Sequence, residues 1–214
     1  MTTLVVALVG AESTGKTVLA SELARVLQGR GLDAVMVPEA LRAFCDRHAR
    51  TPRADEQASI AAEQTRRIHE AAQVHRIVLA DTTALMTAVY SEFVFGDVSL
   101  YRQALQDHAQ VDITLLTSLD LAWRSDGIQR DGEHVREPVD GLIRHALQGA
   151  GLAYAVVAGQ GVRRIQHALA AIEHRLDAPA REARMAGRAG QARWRWFCDN
   201  CDDGECEQHW LPRN

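Results

Sequence analysis

The sequence predicts an α/β fold: a parallel five-stranded sheet with helices on both faces, followed by a small Cys/His-rich C-terminal tail. Two observations predict it. Short apolar, β-branched runs alternate with longer stretches whose apolar residues recur at helical spacing, the pattern of a parallel sheet covered by helices. Between the first run and the first helical stretch lies Gly10-Ala11-Glu12-Ser13-Thr14-Gly15-Lys16-Thr17. This is G-x-x-x-x-G-K-[ST], a phosphate-cradling loop whose required context is strand, loop, helix.

The elements follow in order. Residues 3–9 (TLVVALV) suit a buried parallel strand. After the loop, Val18, Leu19, Leu23, Val26 and Leu27 recur at helical spacing up to Gly29 and Gly31. Residues 34–37 (AVMV) are a second strand, closed by Pro38-Glu39. Residues 41–50 read as a helix that Thr51-Pro52 breaks. Residues 56–74 are a long amphipathic helix, and residues 77–80 (IVLA) a third strand ending at Asp81. Helices are expected over 85–93 and 100–108, and a fourth strand over 113–116 (ITLL). Residues 121–138 are polar, Gly-containing and Arg-rich, and read as a mobile loop. A helix over 142–147, a strand over 154–157 (YAVV) and a closing helix over 163–176 complete the series, and Pro179 marks a boundary.

Lys16 is the sole lysine among 24 Lys and Arg residues. Where arginine serves almost everywhere else, one lysine marks a place that a guanidinium does not fit. A compact ammonium on a flexible stem can fold over a tight loop toward the β- and γ-phosphates of a nucleotide. The backbone N–H groups of the loop and the helix N-terminus point at the same anion. Gly10, Glu12, Ser13, Thr14, Gly15, Lys16 and Thr17 are therefore the candidate ATP-binding residues. The Thr17 hydroxyl stands where it can bind Mg²⁺.

Other groups with chemistry fall at strand ends, where open α/β sheets hold ligands. Asp81 can hold Mg²⁺ directly or through water; a plain helix cap is its other reading. Glu39 can orient a substrate hydroxyl or take its proton, or sit solvated in a first helical turn. Arg42, one turn on, is placed to pair with Glu39 or with a substrate anion. The 121–138 segment carries Trp123, Arg124, Asp126, Gly127, Arg130, Gly132 and Arg136. Arginines brought over a nucleotide add positive charge to the transferring group and exclude water. Trp123 offers a flat face for an aromatic ligand ring. Gly159-Gln160-Gly161 after the fifth strand would let an adenine approach the backbone; a plain strand–helix turn reads equally well.

Composition sets the bounds. The length of 214 residues suits one domain with a small appendage, and 47% hydrophobic residues supply a sizeable core. A net charge of −4 makes no global case for nucleic acid or membrane. No apolar run approaches the roughly 18 residues of a membrane span. The N-terminus lacks a basic n-region, so a cytoplasmic protein is expected.

Taken as an ordered set, these residues resemble NadR-type ribosylnicotinamide kinase domains. Gly10 to Thr17 is similar to that family's G-x-E-S-[ST]-G-K-[ST] loop. Pro38-Glu39-Ala40-Leu41-Arg42 resembles its Glu-x-x-Arg after the second strand, and Asp55-Glu56-Gln57 with Gln64 the start of its long helix. Asp81-Thr82 and Trp123-Arg124-Ser125-Asp126-Gly127 look like its third-strand and lid signatures. Ala122 stands where the family often has Pro, and Arg130 is three residues beyond Gly127 rather than two. The resemblance covers residues 3–176. It implies a P-loop kinase-like sheet of order 2-3-1-4-5, a lid over 120–138, and ATP-dependent conversion of nicotinamide riboside to nicotinamide mononucleotide, a step of NAD biosynthesis. The rival reading is a regulatory ATPase or switch whose tail binds a protein or nucleic-acid partner. A kinase needs an enclosed pocket for its acceptor beside the γ-phosphate, whereas a switch needs room only for a water.

The expected organisation is a kinase domain over 1–178, a basic aromatic connector over 179–197 and a tail over 198–214. Cys198, Cys201, Cys206 and His209 read C-x₂-C-x₄-C-x₂-H, a ligand set suited to tetrahedral structural Zn²⁺. In a reducing compartment metal binding is favoured over disulfides. Arg181, Arg184, Arg188, Arg193 and Arg195, interleaved with Trp194, Trp196 and Phe197, could grip single-stranded nucleic acid. The acidic tail (Asp199, Asp202, Asp203, Glu205, Glu207) opposes phosphate contact, so docking of the aromatics on the core is the favoured reading. Cys45 is expected to be a buried lone thiol.

Overall fold

The computed structural model describes residues 3–124 and 132–177. Five strands form one sheet: β1 (Leu4–Val9), β2 (Ala34–Val37), β3 (Ile77–Asp81), β4 (Ile113–Thr117) and β5 (Ala155–Val157). Their order is β2-β3-β1-β4-β5 and every pairing is parallel. The five-stranded parallel sheet is as expected from the sequence pattern, and its 2-3-1-4-5 order is the one the family resemblance implies.

Among the described residues six helices fill the crossovers, α1 (Lys16–Gly29), α2 (Ala40–His48), α3 (Gln57–Val74), α4 (Ala84–Phe95), α5 (Tyr101–His108) and α6 (Arg136–Gly149), and α7 (Gly161–Leu176) follows β5. Side chains alternate across a strand, and β1 obeys this. Val6 and Leu8 join Leu19, Leu23 and Leu27 of α1 and Leu169 and Ile172 of α7 on one face. On the other face Val9 and Leu116 pack with Leu85 and Val89 of α4 and Val139, Ile143 and Leu147 of α6. Val78 and Ala80 of β3 meet Ile68 of α3. No described helix is long and apolar enough to cross a membrane.

The register places the functional ends together. Leu8 pairs with Asp81, Val37 with Ala80, and Val9 with Leu116. The residues that follow β1, β2, β3 and β4 therefore emerge along one sheet edge.

The structure corrects one boundary. The polar segment does not run as a loop to Pro138: a 3-10 turn at Glu133–Val135 leads into α6 at Arg136. Pro138 lies in the first turn of α6, where its missing N–H costs no intrahelical bond. Arg136 is buried at that helix start and donates to the Leu119 carbonyl at 3.2 Å. Its charge had suggested a place in the lid; it instead ties α6 to the end of β4. Arg130 and Asp126 lie outside the described residues, as do Cys198, Cys201, Cys206 and His209 and the connector before them.

Candidate active site

The phosphate loop is shaped by what lies against it. Gly10 has φ 150°, and a Cβ there would stand 2.1 Å from Thr117 Oγ1. Only glycine permits that approach. The hydroxyls of Thr14 and Thr117 are 2.7 Å apart, and Thr14 Oγ1 donates to the Ala11 carbonyl at 2.7 Å. Gly15 takes φ 76° immediately before α1. Lys16 Nζ folds back over the loop and donates to the Gly10 and Ala11 carbonyls, each at 2.9 Å. This is the folded-back geometry expected of the lone lysine.

Behind the loop sits a network that the sequence did not single out. Arg164, buried near the start of α7, donates to the Thr14 carbonyl at 2.7 Å, to Asp120 Oδ1 at 2.8 Å and to the Gly159 carbonyl at 2.9 Å. The Gly159 N–H donates to Asp120 Oδ2. Burial pushes the Asp120 carboxyl up. Hydrogen bonds from Ser118, Arg164 and the Gly159 N–H outweigh that and bring it to about 2. Gly159 thus does structural work in the turn, with φ 92°. In a chain with so many arginines, nothing in the sequence marked Arg164 as the one beneath the phosphate loop.

Beside the loop, Asp81 ends β3 at 1% exposure, and its Oδ1 has no hydrogen-bond partner among the described residues. Thr82 follows with φ 77°, a conformation that a β-branched residue rarely tolerates. It is held from both sides: its N–H donates to the Leu8 carbonyl at 3.1 Å, and its carbonyl accepts from Gln64 Nε2 at 3.3 Å. Gln64 Oε1 in turn accepts from the Ala40 N–H at 2.6 Å. One buried glutamine of α3 therefore spans the ends of β2 and β3. Glu39 stands at the cap position of α2, and its Oε2 lies 3.8 Å from Arg42 Nη2.

These ends open on a cleft of about 680 Å³. Its floor is the loop from Glu12 to Thr17, and Glu39, Arg42, Cys45, Gln57 and Thr82 line one side. Met86, Tyr90, Val94 and Phe95 of α4 form an apolar wall. Cys45 is buried as expected, and burial raises its thiol pKa. The turn at Thr51–Pro52 is fixed by Glu56, which bonds Arg50 at 2.6 and 2.7 Å and caps the Arg53 N–H at 2.8 Å. The Arg50 guanidinium draws the Glu56 carboxyl down to about 2.

The loop tip also reaches the residues that flank 125–131. Trp123 Nε1 donates to Glu12 Oε1 at 2.8 Å, the Gly132 N–H donates to the same oxygen at 3.1 Å, and the Arg124 N–H donates to Ser13 Oγ at 2.7 Å. Of the candidate residues, the structure thus gathers Gly10, Glu12, Ser13, Thr14, Gly15, Lys16, Thr17, Glu39, Arg42, Asp81, Trp123 and Arg124 around one sheet edge. Gln64, Asp120, Thr117 and Arg164 join them from outside the chemistry read in the sequence.

The comparisons with known proteins agree with this architecture. A NadR protein in complex with NR superposes with TM-score 0.67 at 22% identity, over 80% of this chain and 50% of that one. A NadR protein in complex with NAD and AMP-PNP gives TM-score 0.64 at 22% identity, over 80% of this chain and 49% of that one. The chain thus matches about half the length of those NadR structures. A deoxyadenosine kinase from M. mycoides, with products dCMP and a flexible dCDP bound, gives TM-score 0.53 at 14% identity, over 82% of this chain and 100% of that one. No curated protein sequence matches the chain. Residues 5–164 match the AAA domain family, which is three quarters of the chain, and the chain belongs to that family.

Proposed function

We propose that the protein is an ATP-dependent kinase that transfers the γ-phosphate to a hydroxyl of a nucleoside-type acceptor, specifically nicotinamide riboside. The observation that carries this reading is the cleft. A volume of about 680 Å³ extends from the phosphate loop past Glu39 to an apolar wall on α4. A regulatory switch needs space for one water there; this space suits a nucleoside, whose ring and sugar meet apolar and polar walls respectively. The NadR and deoxyadenosine kinase neighbours, which hold NR and deoxynucleotides, support the same acceptor class.

In this reading the acceptor oxygen bonds to the γ-phosphorus as the bond from phosphorus to the β–γ bridging oxygen breaks, and ADP leaves. Lys16 and the loop N–H groups hold the phosphates. Glu39, beside the loop, orients the acceptor hydroxyl or takes its proton. Arg124, with Arg130, adds positive charge around the transferring group. The residues fit Mg²⁺: the buried Asp81 Oδ1 lacks a partner among the described residues, and Thr17 heads α1 in the cleft. Bound Mg²⁺ would neutralise phosphate charge.

The test mixes the purified protein with Mg-ATP and nicotinamide riboside and follows mononucleotide formation. Lys16→Ala is expected to lower turnover at least about a hundredfold, the effect of removing one preorganised charge donor. If the wild-type protein makes no more product than Lys16→Ala, the acceptor assignment is wrong.

A further inference from the structure

A loop that holds phosphates must turn its N–H groups toward the anion and its carbonyls away from it. Each carbonyl turned inward then needs a donor on the protein side, because a buried backbone acceptor without one is costly. The Gly10 and Ala11 carbonyls have Lys16 Nζ, and the Ala11 carbonyl also has the Thr14 hydroxyl. The Thr14 carbonyl has Arg164, whose Nη2 donates to it at 2.7 Å. Arg164 stands 150 positions away in the sequence, in the first turn of α7, and is 5% exposed. Its other terminal nitrogen, Nη1, donates to Asp120 Oδ1 at 2.8 Å and to the Gly159 carbonyl at 2.9 Å. The Asp120 carboxylate balances the guanidinium charge, so what this arginine brings to the loop is chiefly direction.

The Thr14–Gly15 peptide is trans, and a trans peptide is planar with its C=O and N–H on opposite sides. With the Thr14 carbonyl held on Arg164, the Gly15 N–H points away from Arg164. Gly15 lines the cleft, and Arg164 does not. We propose that Arg164 is a positioning residue for the nucleotide: by fixing the Thr14 carbonyl beneath the loop, it aims the Gly15 N–H at a phosphate in the cleft. Asp120 and the Gly159 carbonyl hold the guanidinium in place. The segments that follow β4 and β5 therefore set the shape of the loop that follows β1. This inference rests on the reading that the loop binds ATP, and it is independent of the acceptor.

Two substitutions separate direction from charge. Arg164→Met removes every donor. Arg164→Lys keeps the charge and the pairing with Asp120, which protects the fold. A single ammonium cannot stand at both terminal nitrogens of a guanidinium, so in Arg164→Lys the Thr14 carbonyl loses its donor. Both variants are expected to weaken Mg-ADP binding about ten- to a hundredfold, the effect of losing a hydrogen bond from a charged group. In the kinase assay the ATP KM should rise while the acceptor KM stays near wild type. Ile172→Val loosens the packing of α7 on the sheet without touching the network, and its ADP affinity should stay near wild type. The inference is overturned if Arg164→Lys binds ADP as the wild type does, if the acceptor KM rises in place of the ATP KM, or if Ile172→Val weakens ADP binding as much as Arg164→Lys.

A second measurement does not depend on activity. Thr14-Gly15 is the one Thr-Gly step in the chain. In full-length protein carrying ¹³C-carbonyl threonine and ¹⁵N-glycine, a carbonyl-filtered amide spectrum therefore contains the Gly15 N–H alone. Mg-ADP at saturation is expected to move this resonance in the wild type and in Ile172→Val, and to move it far less in Arg164→Lys. An equal displacement in Arg164→Lys sinks the positioning role even if the protein proves to be a kinase. A wild-type protein that binds Mg-ADP in neither measurement would overturn the nucleotide reading itself, and this inference with it.

Discussion

Gly10 shows how one hydrogen in place of a methyl sets the phosphate loop. The Thr117 hydroxyl occupies the space a side chain would need, at 2.1 Å from the position of a Cβ. The strand ends are packed this closely because Thr117 also meets Thr14, whose hydroxyl is 2.7 Å away. Gly10→Ala must then push β4 from the loop or distort the loop itself. It is expected to destabilise the fold by about 1–3 kcal/mol, as overpacking does, and to weaken ATP binding more than tenfold. Thr117→Ala alone costs about 0.5–1.5 kcal/mol, because the buried Thr14 hydroxyl loses one of its two partners and keeps the Ala11 carbonyl. Since Thr117→Ala also removes the clashing oxygen, the double variant should be more stable than the two single losses predict. Denaturant melts of the four proteins decide this, and strict additivity would show that Gly10 is needed only for its φ.

The elements are joined at the site by Gln64, whose importance is invisible in a periodicity pattern. It is a polar residue on the buried face of an amphipathic helix, 2% exposed, and satisfies the first N–H of α2 and the carbonyl of Thr82. Helix N-termini carry N–H groups with no intrahelical partner. Here α3 supplies the acceptor that the cap residue Glu39 does not, and Glu39 lines the cleft with its carboxylate 3.8 Å from Arg42. Gln64→Leu leaves two buried backbone groups unpaired and is expected to cost about 3 kcal/mol. Gln64→Glu still accepts from Ala40 and places a negative charge at a helix N-terminus, so it should cost clearly less. Thermal and denaturant unfolding separate the two. Equal losses would mean that the side chain fills space and does not brace the strand ends.

Much of the fold was legible because its signals are local: runs such as TLVVALV and AVMV, the loop motif, and helical spacing from Val18 to Leu27. The strand-end carboxylates Glu39 and Asp81 were legible because a parallel sheet sends all its C-terminal ends to one edge. The contacts that brace the site were not, because Arg164 meets Thr14, Gln64 meets Ala40 and Thr82, and Glu12 meets Trp123 only after distant segments pack. The 121–138 segment misled because its polar, Arg-rich composition reads as a loop, whereas its end from Arg136 to Pro138 is the first turn of α6. His108 belongs to the same hidden class and sets how the stability of the fold depends on pH. It is the only buried histidine among the described residues, held between Thr83 Oγ1 and Thr114 Oγ1, each at 2.9 Å. It thereby joins the start of α4, the end of α5 and β4. Burial lowers its pKa from 6.5 to about 4. The folded protein therefore binds fewer protons here than the unfolded chain between pH 4 and 6.5. Stability from this group is complete above about pH 6.5 and falls as pH drops toward 4, by on the order of 3 kcal/mol. The half-buried carboxylates Glu56 and Glu63, held down to about 2 by their arginine partners, lose their contribution only below about 4.5, so the two windows barely overlap. Urea melts at half-unit steps from pH 4.5 to 7.5 should give a clear rise for the wild type. His108→Gln keeps a donor and an acceptor between the two threonines but does not titrate, so its profile should be flat above pH 5. A variant that keeps the wild-type slope would place the titrating group elsewhere.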